Sequence, residues 1–212
     1  MKNKLLTIGI CALFMNSVAQ AAPVTFDFAS IADTAPGEYG APSIDFIDGS
    51  LTLTATATDV DSGSEIYNAY LDSGNAGLGV CKVLDGNQCS PSSDDNVTEG
   101  EVLKLDFNQK ITIDDIFFRD GGHGTNFGSS TVDISVDGGA YASYFLANFV
   151  VTGLTGSSFY FANNNTDTGN TTDFYIDSLT VSAVPIPAAV FLFAPALLGF
   201  MGFRRRAKNL AA

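Results

Sequence analysis

The sequence predicts an all-β fold, an antiparallel β-sandwich of jelly-roll-like connectivity followed by one C-terminal transmembrane helix. Three observations predict it. Ten short runs alternate Thr, Val, Ile, Leu, Phe or Tyr with polar residues and are broken by Gly, Asn, Asp and Ser. Between residues 22 and 183 no segment carries a convincing helical period. From Val184 to Phe203 the chain then runs 20 residues without a charge, and at about 1.5 Å per residue a helix of that length spans a bilayer core of roughly 30 Å.

The first 21 residues, MKNKLLTIGICALFMNSVAQA, place Lys2 and Lys4 before an apolar stretch from Leu5 to Met15 and end on small-x-small Ala19-Gln20-Ala21. That order of parts is a secretory signal peptide cut after Ala21. Cys11 follows Ile10 rather than a small residue, so it belongs to the leader and is not a lipidated cysteine. Residues 22–183 are one domain-sized exported segment. They hold Lys82, Lys104, Lys110 and Arg119 against all 23 acidic residues, a formal charge of −19. Such a surface excludes nucleic acid and repels anionic lipid, and it keeps an exported protein soluble.

The strands follow in order. VTFDFA, PSIDFID and LTLTATATD open the series; in the last, Leu51, Leu53, Ala55 and Ala57 share one face and the threonines the other. EIYNAYL comes next, and Gly-rich DSGNAGLGV reads as a long loop between opposite sheets. EVLKLDF and KITIDDIFFRD read as two strands around a turn at Asn108-Gln109, with RDGGHGTNFGSS as a second long loop. TVDISVD and AYASYFLANFVV flank Asp137-Gly138-Gly139, a hairpin signal because Gly accepts the positive φ of tight turns. SSFYFAN, the polar tract NNNTDTGNTTD and DFYIDSLTVS complete the domain. The long loops are what jelly-roll crossovers require.

Two cysteines remain in the domain, Cys81 and Cys89 in GVCKVLDGNQCSP, with Asp85-Gly86 as a turn between them. In an oxidising compartment this spacing predicts a local disulfide. Catalytic chemistry has little to work with. His123 is the chain's one histidine, set in Gly121-Gly122-His123-Gly124 without a serine or cysteine nucleophile motif, and it reads as an exposed loop residue. Glu99 and Glu101 point the same way at a strand entrance, after Asp94-Asp95; these read as solvated charges, although a two-carboxylate glycan hydrolase needs no more than one well-spaced pair. Without tryptophan, a sugar platform would fall to Tyr67, Tyr70, Tyr141 and Tyr144. Asp59 and Asp61 have EF-hand-like spacing, but Gly63 takes the third ligand position. FDFAS and FYIDSLTV resemble the first and last strands of carbohydrate-binding jelly-rolls, and the resemblance nominates Asp177 and Asp27 as ligands of a structural calcium.

The tail carries the clearest signal. Pro195 is tolerated in a membrane helix and costly in a soluble one, and Arg204, Arg205 and Arg206 form a basic stop that the positive-inside rule holds in the cytoplasm. Val184, Pro185, Ile186, Pro187 and Ala188 precede the apolar run, which as a helix covers about residues 186–203. Motif, apolar helix and basic stop in this order resemble the PEP-CTERM sorting signal in its VPxPA variant. Ile186, Phe191 and Ala194-Pro195 stand where the family pattern has other residues.

The resemblance implies export by a Gram-negative bacterium that makes exopolysaccharide. It also implies processing by an exosortase-type enzyme near the proline motif, and passage from the envelope membrane to the cell surface or extracellular matrix. The functional expectation is a non-enzymatic surface or matrix protein associated with exopolysaccharide or biofilm. A carbohydrate-binding module with structural calcium is the alternative, and a two-carboxylate hydrolase comes third.

Overall fold

The computed structural model describes residues 22–34, 36–60, 66–148, 153–163 and 173–185. They form a compact unit spanning Ala21–Val184 that is β almost throughout. The strands are β1 (Val24–Asp27), β2 (Tyr39–Ala41), β3 (Ile44–Asp48), β4 (Leu51–Asp59), β5 (Ile66–Asp72), β6 (Gly77–Cys81), β7 (Leu84–Asp85), β8 (Gln88–Cys89), β9 (Glu101–Asp120), β10 (Thr131–Val136), β11 (Ala142–Phe145), β12 (Thr155–Ala162) and β13 (Phe174–Ala183). One short helix, α1 (Phe28–Ala32), follows β1.

Every pairing is antiparallel, as expected, and among the described residues eleven strands join in one hydrogen-bonded sheet. One sheet runs β1-β13-β6-β5-β4-β9-β12-β10-β11, and β13 also pairs with β9. β9 makes this possible. Its first half pairs with β4, Glu101 opposite Asp59 and Phe107 opposite Leu53, and its second half with β13, Ile111 opposite Ala183 and Asp120 opposite Phe174. Since β12 lines the other edge from Val102 to Thr112, β4 and β13 follow one another along the same edge. The path β9-β4-β5-β6-β13 therefore returns to β9 as a five-strand, barrel-like closure.

Two sequence expectations are corrected here. Asn108-Gln109 is not a turn: β9 passes straight through it. The Asn108 side chain replaces the missing ladder, its Oδ1 accepting from the Thr52 N–H at 3.1 Å and its Nδ2 donating to the Ser50 carbonyl at 2.8 Å. The Gly-rich stretch before Cys81 is not a loop. Its second part is β6, buried along its whole length between β5 and β13. Smaller differences have local causes. The strand expected through Phe28 stops at Asp27, whose carboxylate accepts from the Ser30 N–H and caps α1. AYASYFLANFVV gives β11 and then a 3₁₀ turn at Leu146–Asn148.

The interior matches the expected faces. Leu51, Leu53, Ala55 and Ala57 are buried and the threonines between them half-buried. With no tryptophan in the chain, phenylalanines fill the larger gaps. Phe28 meets Phe46 edge-on at 4.9 Å and Phe107 meets Phe159 at 6.0 Å, while Phe118 meets Phe174 at 5.5 Å. Each such pair contributes about 0.5–1.5 kcal/mol beyond its buried area.

Cys81 and Cys89 form the expected disulfide, bridging β6 to the small β7–β8 hairpin whose turn uses Gly86 at φ +67°. The Cys81→Ala, Cys89→Ala double variant is expected to lose about 2 kcal/mol in a urea melt, since the bridge closes a short loop and restricts the unfolded chain. The Asp137-Gly138 hairpin also forms, with both residues at positive φ. Among the described residues no helix is long and apolar enough to cross a membrane. The expected membrane segment at 186–203, the basic stop at Arg204, Arg205 and Arg206, and the leader with Ala19 lie outside the described residues.

Candidate functional site

Polar side chains converge where the β5–β6 turn meets the loop that follows β9. The turn follows Asp72, the last residue of β5, and places Gly74 and Asn75 at positive φ. The loop is shaped by Asp120, whose carboxylate accepts from the N–H groups of Gly122 at 2.9 Å, Gly124 at 2.8 Å and Asn126 at 3.2 Å. Against the upward push of partial burial, these donors hold Asp120 below the usual carboxylate range. The result is a turn that lifts His123, itself at φ +63°, toward Asp72.

His123 is therefore not a free loop residue. Its Nε2 lies 3.0 Å from Asp72 Oδ2, and its Nδ1 lies 3.0 Å from the Gly74 carbonyl. A carbonyl only accepts, so Nδ1 carries a hydrogen. The approach of Nε2 to Asp72 is the ring's other polar contact. It lacks the alignment of a hydrogen bond and acts as a charge contact. The ring also stands edge-on to Tyr175, centroids 5.5 Å apart.

Behind this pair lies a second buried carboxylate. Asp95 accepts from the Tyr175 hydroxyl, and both it and Asp72 are buried, Asp72 with 5% of its surface exposed. Burial first, and the negative charge of Asp95 second, push the Asp72 carboxyl up to about 6; His123 pulls the other way. Asp95 is raised by burial against the Tyr175 hydrogen bond, and burial with Asp95 raises the Tyr175 phenol. Alongside, the Tyr70 hydroxyl donates to Glu38, Ser73 Oγ donates to Glu38 Oε2 at 3.1 Å, and the Gly74 N–H donates to Asp33 at 2.7 Å. Asn96 Oδ1 is buried here without a hydrogen-bond partner among the described residues.

Chemically the arrangement holds protons rather than presenting them. Both imidazole nitrogens of His123 are engaged inside the protein, and the one hydroxyl of the β5–β6 turn, on Ser73, is given to Glu38. The cluster ties the β5–β6 turn to the β9–β10 loop and to β13. Sequence reasoning missed Asp72, Tyr175 and Glu38, which lie singly in unremarkable runs and meet only through the closure.

The other candidate residues fall elsewhere. Glu99 and Glu101 do not point the same way: Glu99 is exposed, whereas Glu101 is fully buried, 2.8 Å from Lys82 Nζ and accepting from the Thr98 N–H at 2.7 Å. Burial raises its carboxyl, opposed by Lys82. Asp95 and Glu101 are thus core carboxylates, not solvated ones. Tyr70 is buried and unavailable for stacking, while Tyr141 is 45% exposed.

The two nominated calcium ligands lie on paired strands, but each carboxylate already has a partner within the protein. Asp27 caps α1 and stands opposite Ser178 in the β1–β13 ladder, and Asp177 Oδ2 accepts from Arg119 Nε at 2.8 Å. A guanidinium already supplies the positive charge that a cation would bring. Among the described residues no group of three His, Cys, Asp or Glu side chains is placed to hold a metal ion. With both carboxylates engaged, calcium or a chelator is expected to leave the melting temperature unchanged; a calcium-dependent rise would support a structural ion at this pair.

Compared with protein-family models, with curated proteins and with solved structures, the chain matches none.

Proposed function

We propose that this is an exported surface or extracellular-matrix protein, non-enzymatic and associated with exopolysaccharide, that an exosortase-type enzyme delivers by reading its C-terminal sorting signal. The observation that carries the reading is where the compact unit stops. It spans Ala21–Val184, β13 reaches Ala183, and the Val184 N–H donates to the Lys110 carbonyl at 3.0 Å. A cut after Pro185 would remove no described strand and no described core residue. Ile186, Pro187 and Ala188 follow at once in the sequence, so the proposed motif runs on from the point where the last described strand ends. The engaged nitrogens of His123 favour a non-enzymatic role. The domain enters this reading as an antiparallel unit with a barrel-like closure, and jelly-roll connectivity is not needed for it.

The test is processing in a Gram-negative host that carries an exosortase and makes exopolysaccharide. The full chain, tagged in an exposed loop, is expected as a shortened form in the extracellular fraction. Deleting the processing enzyme should leave the long form in the envelope. Equal size and equal distribution in the two strains would overturn the proposal.

A further inference from the structure

The outward face of the sheet β3-β4-β9-β12-β10-β11 combines carboxylates, hydroxyls and aromatic rings. The ladders fix which residues share it. Asp45, Thr54, Asp106 and Ser158 stand in one row across β3, β4, β9 and β12. Thr56, Lys104, Tyr160 and Ser135 form the next, and Asp133 with Ser143 lie in the one beyond. Phe145, opposite Thr131, closes the patch at β11. Tyr141 directly precedes β11, two residues before the Ser143 that stands opposite Asp133. Tyr141 and Phe145 are 45% and 60% exposed.

Three carboxylates on this face are held in place by neighbouring hydroxyls. Thr54 donates to Asp45 at 2.6 Å, Ser158 donates to Asp106, and Ser143 donates to Asp133. A carboxylate has about four acceptor sites, so each keeps acceptor capacity beyond these bonds. Among the described residues the cation on this face is Lys104, which is committed to Asp106 at 2.7 Å and lies over the Tyr160 ring at 5.3 Å. What remains on offer is an array of fixed acceptors beside aromatic rings. Its complement is a partner rich in uncharged donors with apolar C–H faces, and one without negative charge, given the −19 of residues 22–183. A second copy of the chain fits poorly, because a two-fold contact would set carboxylates against carboxylates.

We propose that this face binds a neutral polysaccharide, with sugar hydroxyls on Asp45, Asp106 and Asp133 and sugar rings against Tyr160, Tyr141 and Phe145. The proposal rests on the matrix reading above and names its partner class. The test is native affinity electrophoresis of the full chain in mild detergent, in gels containing a neutral β-glucan, a neutral galactomannan or an anionic polyuronate. Retardation by a neutral polymer and none by the polyuronate is expected. Tyr141→Ala and Tyr160→Ala should each weaken it by up to about tenfold. Tyr141 is exposed enough that its variant keeps the wild-type melting temperature, which separates lost binding from lost folding. Retardation by neither neutral polymer, retardation unchanged in the double variant, or self-association through this face would overturn the proposal. Matrix delivery without neutral-glycan binding removes this inference alone, whereas binding by a protein that is never processed removes the delivery reading alone.

Discussion

Gly79→Ala is expected to destabilise the fold by about 3 kcal/mol, a drop in melting temperature of roughly 6–12 °C for a chain of this size. The reason is backbone against backbone. A Cβ at Gly79 would lie 2.2 Å from the Asp95 carbonyl oxygen and 2.9 Å from the Asn96 Cα, and neither can swing aside as a side chain would. β6 cannot retreat either, because Gly79 stands opposite Tyr70 in the β5 ladder while Leu78 stands opposite Ile176 of β13. Gly77 is constrained in the same way, its Cβ position 2.3 Å from the Ile176 oxygen, with φ at +123° besides. Gly122→Ala serves as the control. Its nearest neighbour is an Asp120 carboxylate oxygen at 3.3 Å, and the expected cost is about 1 kcal/mol or less. A Gly79→Ala chain that melts with the wild type would mean β6 does not run this close to the segment at Asp95.

Those two glycines also show why part of the fold was legible and part was not. LTLTATATD could be read because its alternation reports one buried and one outward face, and β4 takes those residues and faces. The disulfide and the Asp137-Gly138 hairpin could be read because spacing and turn chemistry are local. GLGVC could not. Its glycines signal a loop when only neighbours in sequence are considered, yet they are there because other strands approach from far along the chain. β9 was cut in two for a related reason. The polar residues at Asn108-Gln109 mark the handover from β4 to β13 along one edge, and nothing in the local sequence distinguishes a handover from a turn. The buried cluster was the least legible. Asp72, Asp95, His123 and Tyr175 come from four separate segments, and a carboxylate in an acidic chain gives no local sign that it will be buried.

Asp72→Asn is expected to gain stability relative to the wild type as the pH rises. The Asp72 carboxyl moves from an ordinary 3.8 to about 6 on folding, so the folded chain binds this proton more tightly than the unfolded one. The stability so contributed is fully present below the unfolded value and is lost as the pH climbs through about 6. A shift of this size corresponds to about 2–3 kcal/mol. Asp95 and Glu101, both raised by burial, act with the same sign, whereas Asp120 and Asp137, held low by backbone donors, lose their contribution as the pH falls. The raw profile of the wild type therefore mixes opposite slopes, and the comparison with Asp72→Asn isolates one of them. Between pH 4 and pH 7.5 the stability difference, variant minus wild type, should grow by about 2–3 kcal/mol in paired urea melts, whatever its value at the acid end. A second variant checks the cause. His123 is the group that lowers the Asp72 carboxyl, so His123→Gln should steepen the loss of stability with rising pH in a chain that keeps Asp72. A difference between Asp72→Asn and wild type that stays flat, or that shrinks toward pH 7.5, would show that His123 holds Asp72 as a net favourable ion pair. Burial would then not be the dominant influence on this carboxylate.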